Sequence, residues 1–191
     1  MYIVLPAVSD DGSAIKKIIR DITHFSDAER ECVNELWSDF LDTSRESPYR
    51  FCVCQDLETH QVLGFACYGK HALTESTYDL YWIAVDPSSQ RSGVGSDLLF
   101  FVEEQIIAEK GIQLLVETSC KPQYQSARRF YRHNKYHQVA LVRDFYSKED
   151  HLIMYAKYLK HPREETNPFF WSTEFEKSPD FHIRWGQKRY S

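Results

Sequence analysis

Seven consecutive residues, Gln90-Arg91-Ser92-Gly93-Val94-Gly95-Ser96, offer the most specific chemistry in the chain. A glycine-containing turn that opens a helix presents backbone N–H groups without intrahelical partners, and an anion is held there by those donors and by the helix dipole. Gly93 and Gly95 would let the main chain come close to such a ligand. Tyr78 to Val85, just upstream, are rich in β-branched and aromatic side chains and read as a strand, whose ladder Pro87 cannot continue. Downstream, Leu98, Leu99, Val102 and Ile106 recur at helical spacing, with Glu103, Glu104, Glu109 and Lys110 on the other faces and Gly111 as a stop. Strand, glycine turn and helix in direct succession predict a pyrophosphate cradle. The competing reading is a tight turn that holds nothing.

Two well-known phosphate cradles are excluded by their missing parts. A Walker loop needs Gly-Lys-Ser/Thr, and Gly95 is followed here by Ser96-Asp97. A dinucleotide fingerprint needs a third glycine, where this chain has Leu98. The five cysteines form no CxxC pair and the eight histidines show no metal spacing, so no metal site is expected and the thiols read as buried, with Cys52 and Cys54 on one strand face. Cys120 has no His partner that would make it a nucleophile.

The elements that must position the turn follow from periodicity. Ile3 to Val8 read as a first strand; Ile15, Ile18, Ile19, Ile22 and Phe25 mark helix one. Ser26-Asp27-Ala28-Glu29 is a capping box opening helix two, whose apolar stripe is Val33, Leu36, Trp37, Phe40 and Leu41. Tyr49 to Cys54 and Val62 to Tyr68 read as a hairpin, and a loop through Lys70 to Thr77 leads to the Tyr78 strand. Ile112 to Thr118 is a strand and Tyr124 to Asn134 a helix, followed by strands near Gln138 to Phe145 and His151 to Tyr158.

Gln/Arg-x-x-Gly-x-Gly/Ala after a strand resembles the acetyl-CoA signature of the GCN5-related N-acetyltransferase (GNAT) superfamily. The order β-α-α-β-β-β-α-β-α-β-β resembles that superfamily from about residue 2 to residue 159, and Ala127-x-x-Phe130-Tyr131-x-x-x-Lys135-Tyr136 resembles its Ala-x-x-Phe-Tyr-x-x-x-Gly-Phe segment. Lys135 stands where a glycine is usual; if that position needs φ > 0, Asn134 beside it is a tolerable substitute. The resemblance implies an α/β (α+β) fold with a central mixed, mostly antiparallel sheet of about seven strands flanked by about four helices. Residues 1–160 would form that domain and residues 161–191 an extension outside it.

The resemblance further implies direct transfer of an acetyl group from acetyl-CoA to an amine, with no covalent enzyme intermediate. Backbone amides of Gln90, Arg91, Ser92, Gly93, Val94, Gly95 and Ser96 would hold the cofactor, and Ile83, Ala84 and Val85 would offer strand backbone to the pantetheine arm. The strands at Tyr78–Val85 and Ile112–Thr118 would splay to admit that arm, and an amide of the first would polarise the carbonyl. An alkylamine with pKa near 10.4 is neutral only about 0.04% of the time at pH 7, a penalty of roughly 4.6 kcal/mol, so a carboxylate or water chain must offset it. Asp79 has the spacing of the strand glutamate that is the base in the histone-acetylating branch, and Glu117 lies where the branch modifying ribosomal-protein N-termini keeps a glutamate. Asp79 is shorter than Glu and would act through water; Glu117 would serve as base or bind the acceptor's charge; the sequence does not rank them. Tyr131 resembles the tyrosine that protonates the departing thiolate.

A chain 42% hydrophobic with no apolar run near 20 residues is expected to be globular and off the membrane. Met1 to Pro6 lack a basic n-region, so the cytoplasm is the expected compartment. A net charge of −5 argues against nucleic acid as partner. Residues 1–60 hold twelve carboxylates against six basic side chains, whereas Lys121 to Lys148 reverse the balance, a distribution suited to a cationic acceptor and a polyanionic cofactor. Pro162, Pro168 and Pro179 disfavour a long helix in the extension, yet Phe169, Phe170, Trp171, Phe175, Phe181, Trp185 and Tyr190 are too aromatic for a solvated tail. It is expected to lie by the acceptor groove, to cover an edge strand, or to pair two copies as a homodimer. The expected function is acetyl-CoA-dependent N-acetylation of a small or amino-acid-like amine. The rivals are acetylation of a protein N-terminus or lysine, which needs an open groove, and a degenerate acyl-CoA-binding sensor.

Overall fold

The computed structural model describes residues 1–159; the expectations for residues 161–191 lie outside the described residues. Seven strands and four α-helices alternate in the expected order: β1 (Tyr2–Pro6), α1 (Gly12–Asp21), α2 (Asp27–Leu41), β2 (Tyr49–Asp56), β3 (Val62–Lys70), β4 (Thr77–Val85), α3 (Val94–Ala108), β5 (Gln113–Ser119), α4 (Gln125–His133), β6 (His137–Ser147) and β7 (Asp150–Tyr158). They form one sheet in the order β1-β2-β3-β4-β5-β7-β6. Every neighbouring pair is antiparallel except β4 and β5.

Each face of the sheet buries its own cluster. On one, Tyr78 and Leu80 of β4 and Leu114 and Val116 of β5 pack with Val94, Leu98, Leu99, Val102 and Ile106 of α3 and Tyr131 of α4. On the other, Phe51, Phe65 and Ala84 pack with Ile15, Ile18 and Ile19 of α1 and Val33 and Trp37 of α2. Burying each such aliphatic side chain contributes about 1.5–3 kcal/mol, so the two helical layers are held by side-chain burial, not by helix propensity.

Several details depart from the sequence reading. Strand β1 stops at Pro6, because Val8 already caps a 3₁₀ turn over Ser9–Asp11. Phe25 lies past the end of α1 and instead meets Trp82 edge-on at 5.4 Å. Glu103, expected on an outer face of α3, is buried at 7% exposure and receives the Tyr136 hydroxyl at 2.8 Å and Lys157 Nζ at 2.7 Å. The hydrogen-bonded partners are what make a carboxylate affordable there. Lys110 (φ 64°), not Gly111, takes the left-handed turn that ends α3; Gly111 N–H then closes on Ile106 O at 2.8 Å and Lys110 N–H on Ile107 O at 2.9 Å. Gly111 is required for closeness, since a Cβ there would stand 2.3 Å from Ile106 Cγ2. Helix α4 ends in the same way at Lys135 (φ 69°). Asn134 keeps φ at −83° and its side-chain amide donates to Phe130 O at 2.9 Å, so it does not take over the left-handed position. Cys52, Cys54 and Cys67 are buried; Cys32 is exposed and Cys120 half-buried, against the expectation that all five are interior. Cys52 and Cys54 do share the α3 face.

Candidate active site

The parallel pair at the centre of the sheet is short. Its register runs from Thr77 opposite Gln113 to Leu80 opposite Val116 and stops there, although both strands continue. From Tyr81 to Val85 strand β4 therefore pairs only with β3. A register shift against β3, with Cys67 opposite Trp82 and Tyr68 opposite Leu80, leaves Tyr81 as the extra residue of a bulge. Such a bulge bends the strand and changes which face the following side chains take. Ile83 and Val85 accordingly join the α3 cluster, whereas Trp82 joins the α1–α2 cluster. The expected parting of the two strands is present, and it leaves an unpaired edge of β4 over the span that includes Ile83, Ala84 and Val85.

The glycine turn lies at the end of that edge. Asp86 caps the 3₁₀ turn Pro87–Ser89 by accepting from Ser88 N at 2.9 Å. Arg91 (φ 62°) and Gly93 (φ 95°) are both left-handed, the alternation by which a main chain forms an anion-binding nest. Gly93 is also the N-cap of α3. Among the described residues, none accepts a hydrogen bond from the backbone amides of Gln90, Arg91, Ser92, Gly93, Val94, Gly95 or Ser96. Tyr2 of β1 braces the turn from beneath, its hydroxyl donating to Asp97 Oδ2 at 2.7 Å and to Ser92 O at 3.3 Å. The bond to Asp97, together with burial, pushes the Tyr2 phenol up to about 12. Gly95 serves a second purpose that the sequence did not suggest: a Cβ there would stand 3.3 Å from the Phe130 ring. Its bare Cα is what lets α4 lie against the first turn of α3.

Tyr131, the next residue on α4, is 7% exposed. It packs among Phe130, Tyr136 and Tyr155 at ring-centroid distances of 5.4, 6.0 and 5.9 Å. Burial holds its phenol above the ordinary tyrosine range, so it stays protonated through neutral pH. Burial alone, with no neighbouring charge, is what raises it.

Asp79 and Glu117 come together on the opposite face, that of α1 and α2. Asp79 is paired with Leu115, so Glu117, two residues on, shares its side of the sheet just beyond the last paired residue. Burial first, then the Asp79 carboxylate, raises Glu117 above the usual carboxylate range, while His71 acts in the opposite sense. His71 was not among the residues singled out by sequence. Its backbone N–H closes on Thr77 O at 2.9 Å, extending the β3–β4 hairpin by one more rung, and its Nδ1 lies 2.6 Å from Asp79 Oδ2. The signal was the register: a residue opposite Thr77 is a diagonal neighbour of Asp79 on one face, within reach of a long side chain.

Aromatic rings continue this surface. Tyr81 meets Tyr49 edge-on at 5.2 Å, and Phe25 meets both Trp82 and His24. Tyr124 donates its hydroxyl to Glu29 Oε1, while Glu29 Oε2 accepts from Ser26 N at 2.8 Å in the predicted capping box. One carboxylate thus ties the start of α2 to the turn before α4. The Tyr146 phenol, on a residue 48% exposed, is raised to about 12 by partial desolvation first and then by the charges of Glu117, Asp150 and Glu29. A separate cleft of about 460 Å³ opens between α1, the β2–β3 turn and Asp86–Ser89; the lysine in it, Lys17, is engaged by Asp21 at 3.0 Å and Asp86 at 3.2 Å.

Fold and site together define an acyl-transferring enzyme. Residues 15–136 match the acetyltransferase (GNAT) family, and the chain belongs to that family, whose general activity is acetyl-CoA-dependent acetyl transfer. Among solved structures, a protein from Desulfovibrio desulfuricans assigned to the GNAT family is 30% identical, with a TM-score of 0.79 over 84% of this chain and 100% of that one. An aminoglycoside 6'-N-acetyltransferase complexed with coenzyme A shares the fold at 13% identity, with a TM-score of 0.65 over 85% of this chain and 99% of that one. So does the ribosomal-protein-S18-alanine N-acetyltransferase from Escherichia coli, at 18% identity and a TM-score of 0.66 over 87% and 99%. A comparison with curated proteins gives no match. No helix among the described residues is long and apolar enough to cross a membrane.

Proposed function

We propose that this chain transfers the acetyl group of acetyl-CoA to the amine of a small, positively charged acceptor. The observation that carries the reading is the unpaired edge of β4 beyond Leu80, which starts beside the Asp79–Glu117 pair and ends at the free amides of Gln90 to Ser96. Acetyl-CoA supplies an activated thioester when bound. The amides of Gln90, Arg91, Ser92, Gly93, Val94, Gly95 and Ser96 would hold its pyrophosphate, and the backbone of Ile83, Ala84 and Val85 would align its pantetheine arm and polarise the carbonyl as charge develops there. Tyr131 would give a proton to the departing thiolate. A buried phenol whose titration is raised by burial is suited to that, because it is protonated before the thiolate forms.

The acceptor side supports a cation. Asp79, Glu117 and Glu29 put negative charge around the rings of Tyr81, Trp82, Phe25 and Tyr124, and such rings attract an ammonium group as well as excluding water. Calorimetry with acetyl-CoA, followed by thiol release with a panel of primary amines, amino acids, an amino-terminal peptide and a lysine peptide, tests the reading. Uptake of acetyl-CoA and thiol release with small cationic amines is the expected result. Turnover confined to the peptides would move the acceptor to proteins, and uptake with no turnover on any amine would leave a binding module.

A further inference from the structure

We propose that His71 is the group that removes the acceptor's proton, with Asp79 as its positioning residue and Glu117 as the carboxylate that receives the ammonium. The assignment rests on the acetyltransferase reading of the site. The sequence leaves Asp79, Glu117 and a water chain unranked as the base, and Asp79 Oδ2 is engaged by His71 Nδ1 at 2.6 Å. An ionised carboxylate only accepts, so Nδ1 carries the hydrogen, and in the neutral ring that tautomer leaves the lone pair on Nε2. Nε2 has no hydrogen-bond partner among the described residues, and the His71 side chain is 47% exposed while that of Asp79 is 23% exposed. The turn that carries the ring is fixed by His71 N–H to Thr77 O at 2.9 Å and Thr74 Oγ1 to His71 O at 2.8 Å. The imidazole is thus held by Asp79, one residue before β4 and β5 part.

The chemistry favours the ring over the carboxylate. A free imidazole titrates about 2.6 units closer to an alkylamine than a free aspartate does, so the transfer is less uphill by that factor. The Asp79 charge would stabilise the imidazolium that forms, as a carboxylate does for any histidine base. Glu117, which senses both Asp79 and His71, is left free to pair with the incoming ammonium. The protons balance: the ammonium loses one to His71 Nε2, the neutral nitrogen forms the C–N bond as the thioester C–S bond breaks, and Tyr131 protonates the thiolate. The second proton shed by nitrogen restores Tyr131 through solvent, and the first leaves His71 to solvent.

The groups that face His71 are Asp79 from β4 and Glu117 from β5, with Tyr81 beside Asp79 and Tyr146 of β6 beside Glu117. The test uses the full chain: kcat against pH at saturating acetyl-CoA and amine for the unaltered protein, His71→Gln, His71→Ala with and without added imidazole, and Asp79→Asn. Acetyl-CoA calorimetry and a thermal melt accompany each. With His71 as the base, kcat should rise with pH along one ascending limb. His71→Gln should lower kcat by about 10²–10⁴ and abolish that limb with acetyl-CoA affinity unchanged. Imidazole should restore part of the activity of His71→Ala, and Asp79→Asn should move the limb and not remove it. A His71→Gln enzyme that keeps both rate and limb overturns the proposal, as does a His71→Ala enzyme that binds acetyl-CoA, melts normally and gains nothing from imidazole. Failure of the unaltered chain to take up acetyl-CoA would instead bring down the underlying acetyltransferase reading, and this assignment with it.

Discussion

Tyr131 sits where burial and function pull the same way. Its phenol is raised by burial alone, so a thiolate generated next to it would meet a donor that has not lost its proton at any working pH. Tyr131→Phe keeps the ring that Phe130, Tyr136 and Tyr155 pack against and removes only the hydroxyl. Steady-state assays should show kcat reduced by about 10²-fold with the KM for acetyl-CoA within a factor of two or three. Glu117 presents the contrary case. A folded carboxylate whose pKa lies above its unfolded value binds its proton more tightly in the fold, so its contribution to stability is complete below the unfolded pKa and is lost as pH rises through the folded one. At pH 7 the charged form therefore costs stability, though solvent exposure keeps the cost small. Glu117→Gln should raise Tm by about 1–2 °C at pH 7 and leave it unchanged near pH 4, while activity falls; scanning calorimetry at the two pH values checks the sign.

Among the elements, the helix ends and the turn before α3 are where sequence and structure parted most usefully. Period and capping residues placed all seven strands and four helices, because alternation and 3.6-residue stripes are properties of a segment by itself. What a segment does not carry is its register against a neighbour, and that is why His71 escaped notice and why Glu103 was put on the wrong face. The Asp79–Glu117 pair and Tyr131 were visible as residue types, but that the first two share one face follows only from the parallel register at Leu115. Lys135 is a case in which a local rule was sound and its application slipped: a left-handed residue is needed after α4, and the lysine takes it directly at φ 69°. Lys135→Gly should relieve about 1–2 kcal/mol of left-handed strain and return about 0.5–1 kcal/mol in backbone entropy. The net expectation is a Tm about 2 °C higher, with kinetics unaltered. Gly93 is the reverse case. At φ 95°, with a Cβ placed 3.0 Å from the Tyr2 hydroxyl, Gly93→Ala would strain the turn and push β1 off it. We expect a loss of about 1–2 kcal/mol of stability and a KM for acetyl-CoA raised about tenfold, with a smaller change in kcat, measured by melts and initial rates.

At the scale of the whole molecule, the parting of β4 from β5 leaves strands β1 to β4 and strands β5, β7 and β6 joined along only four residue pairs, Thr77 with Gln113 through Leu80 with Val116. A ligand that binds only the folded chain at about a hundred times its Kd adds roughly 2.7 kcal/mol of stability. One that lies in this gap should do so unevenly: amide hydrogen exchange on adding acetyl-CoA should slow most in Tyr81–Val85, Gln90–Ser96 and Glu117–Ser119, and little in β1 or the β2–β3 turn. Uniform slowing across β1 to β7 would argue against binding in the gap. The consequence reaches past catalysis. Under the proposed binding mode, a substrate that lends its own amides to mend a broken sheet would act as a loose plank set into a floor; the enzyme's mechanical integrity would then gauge how much acyl donor surrounds it, and a starved population would be the first to meet the protease.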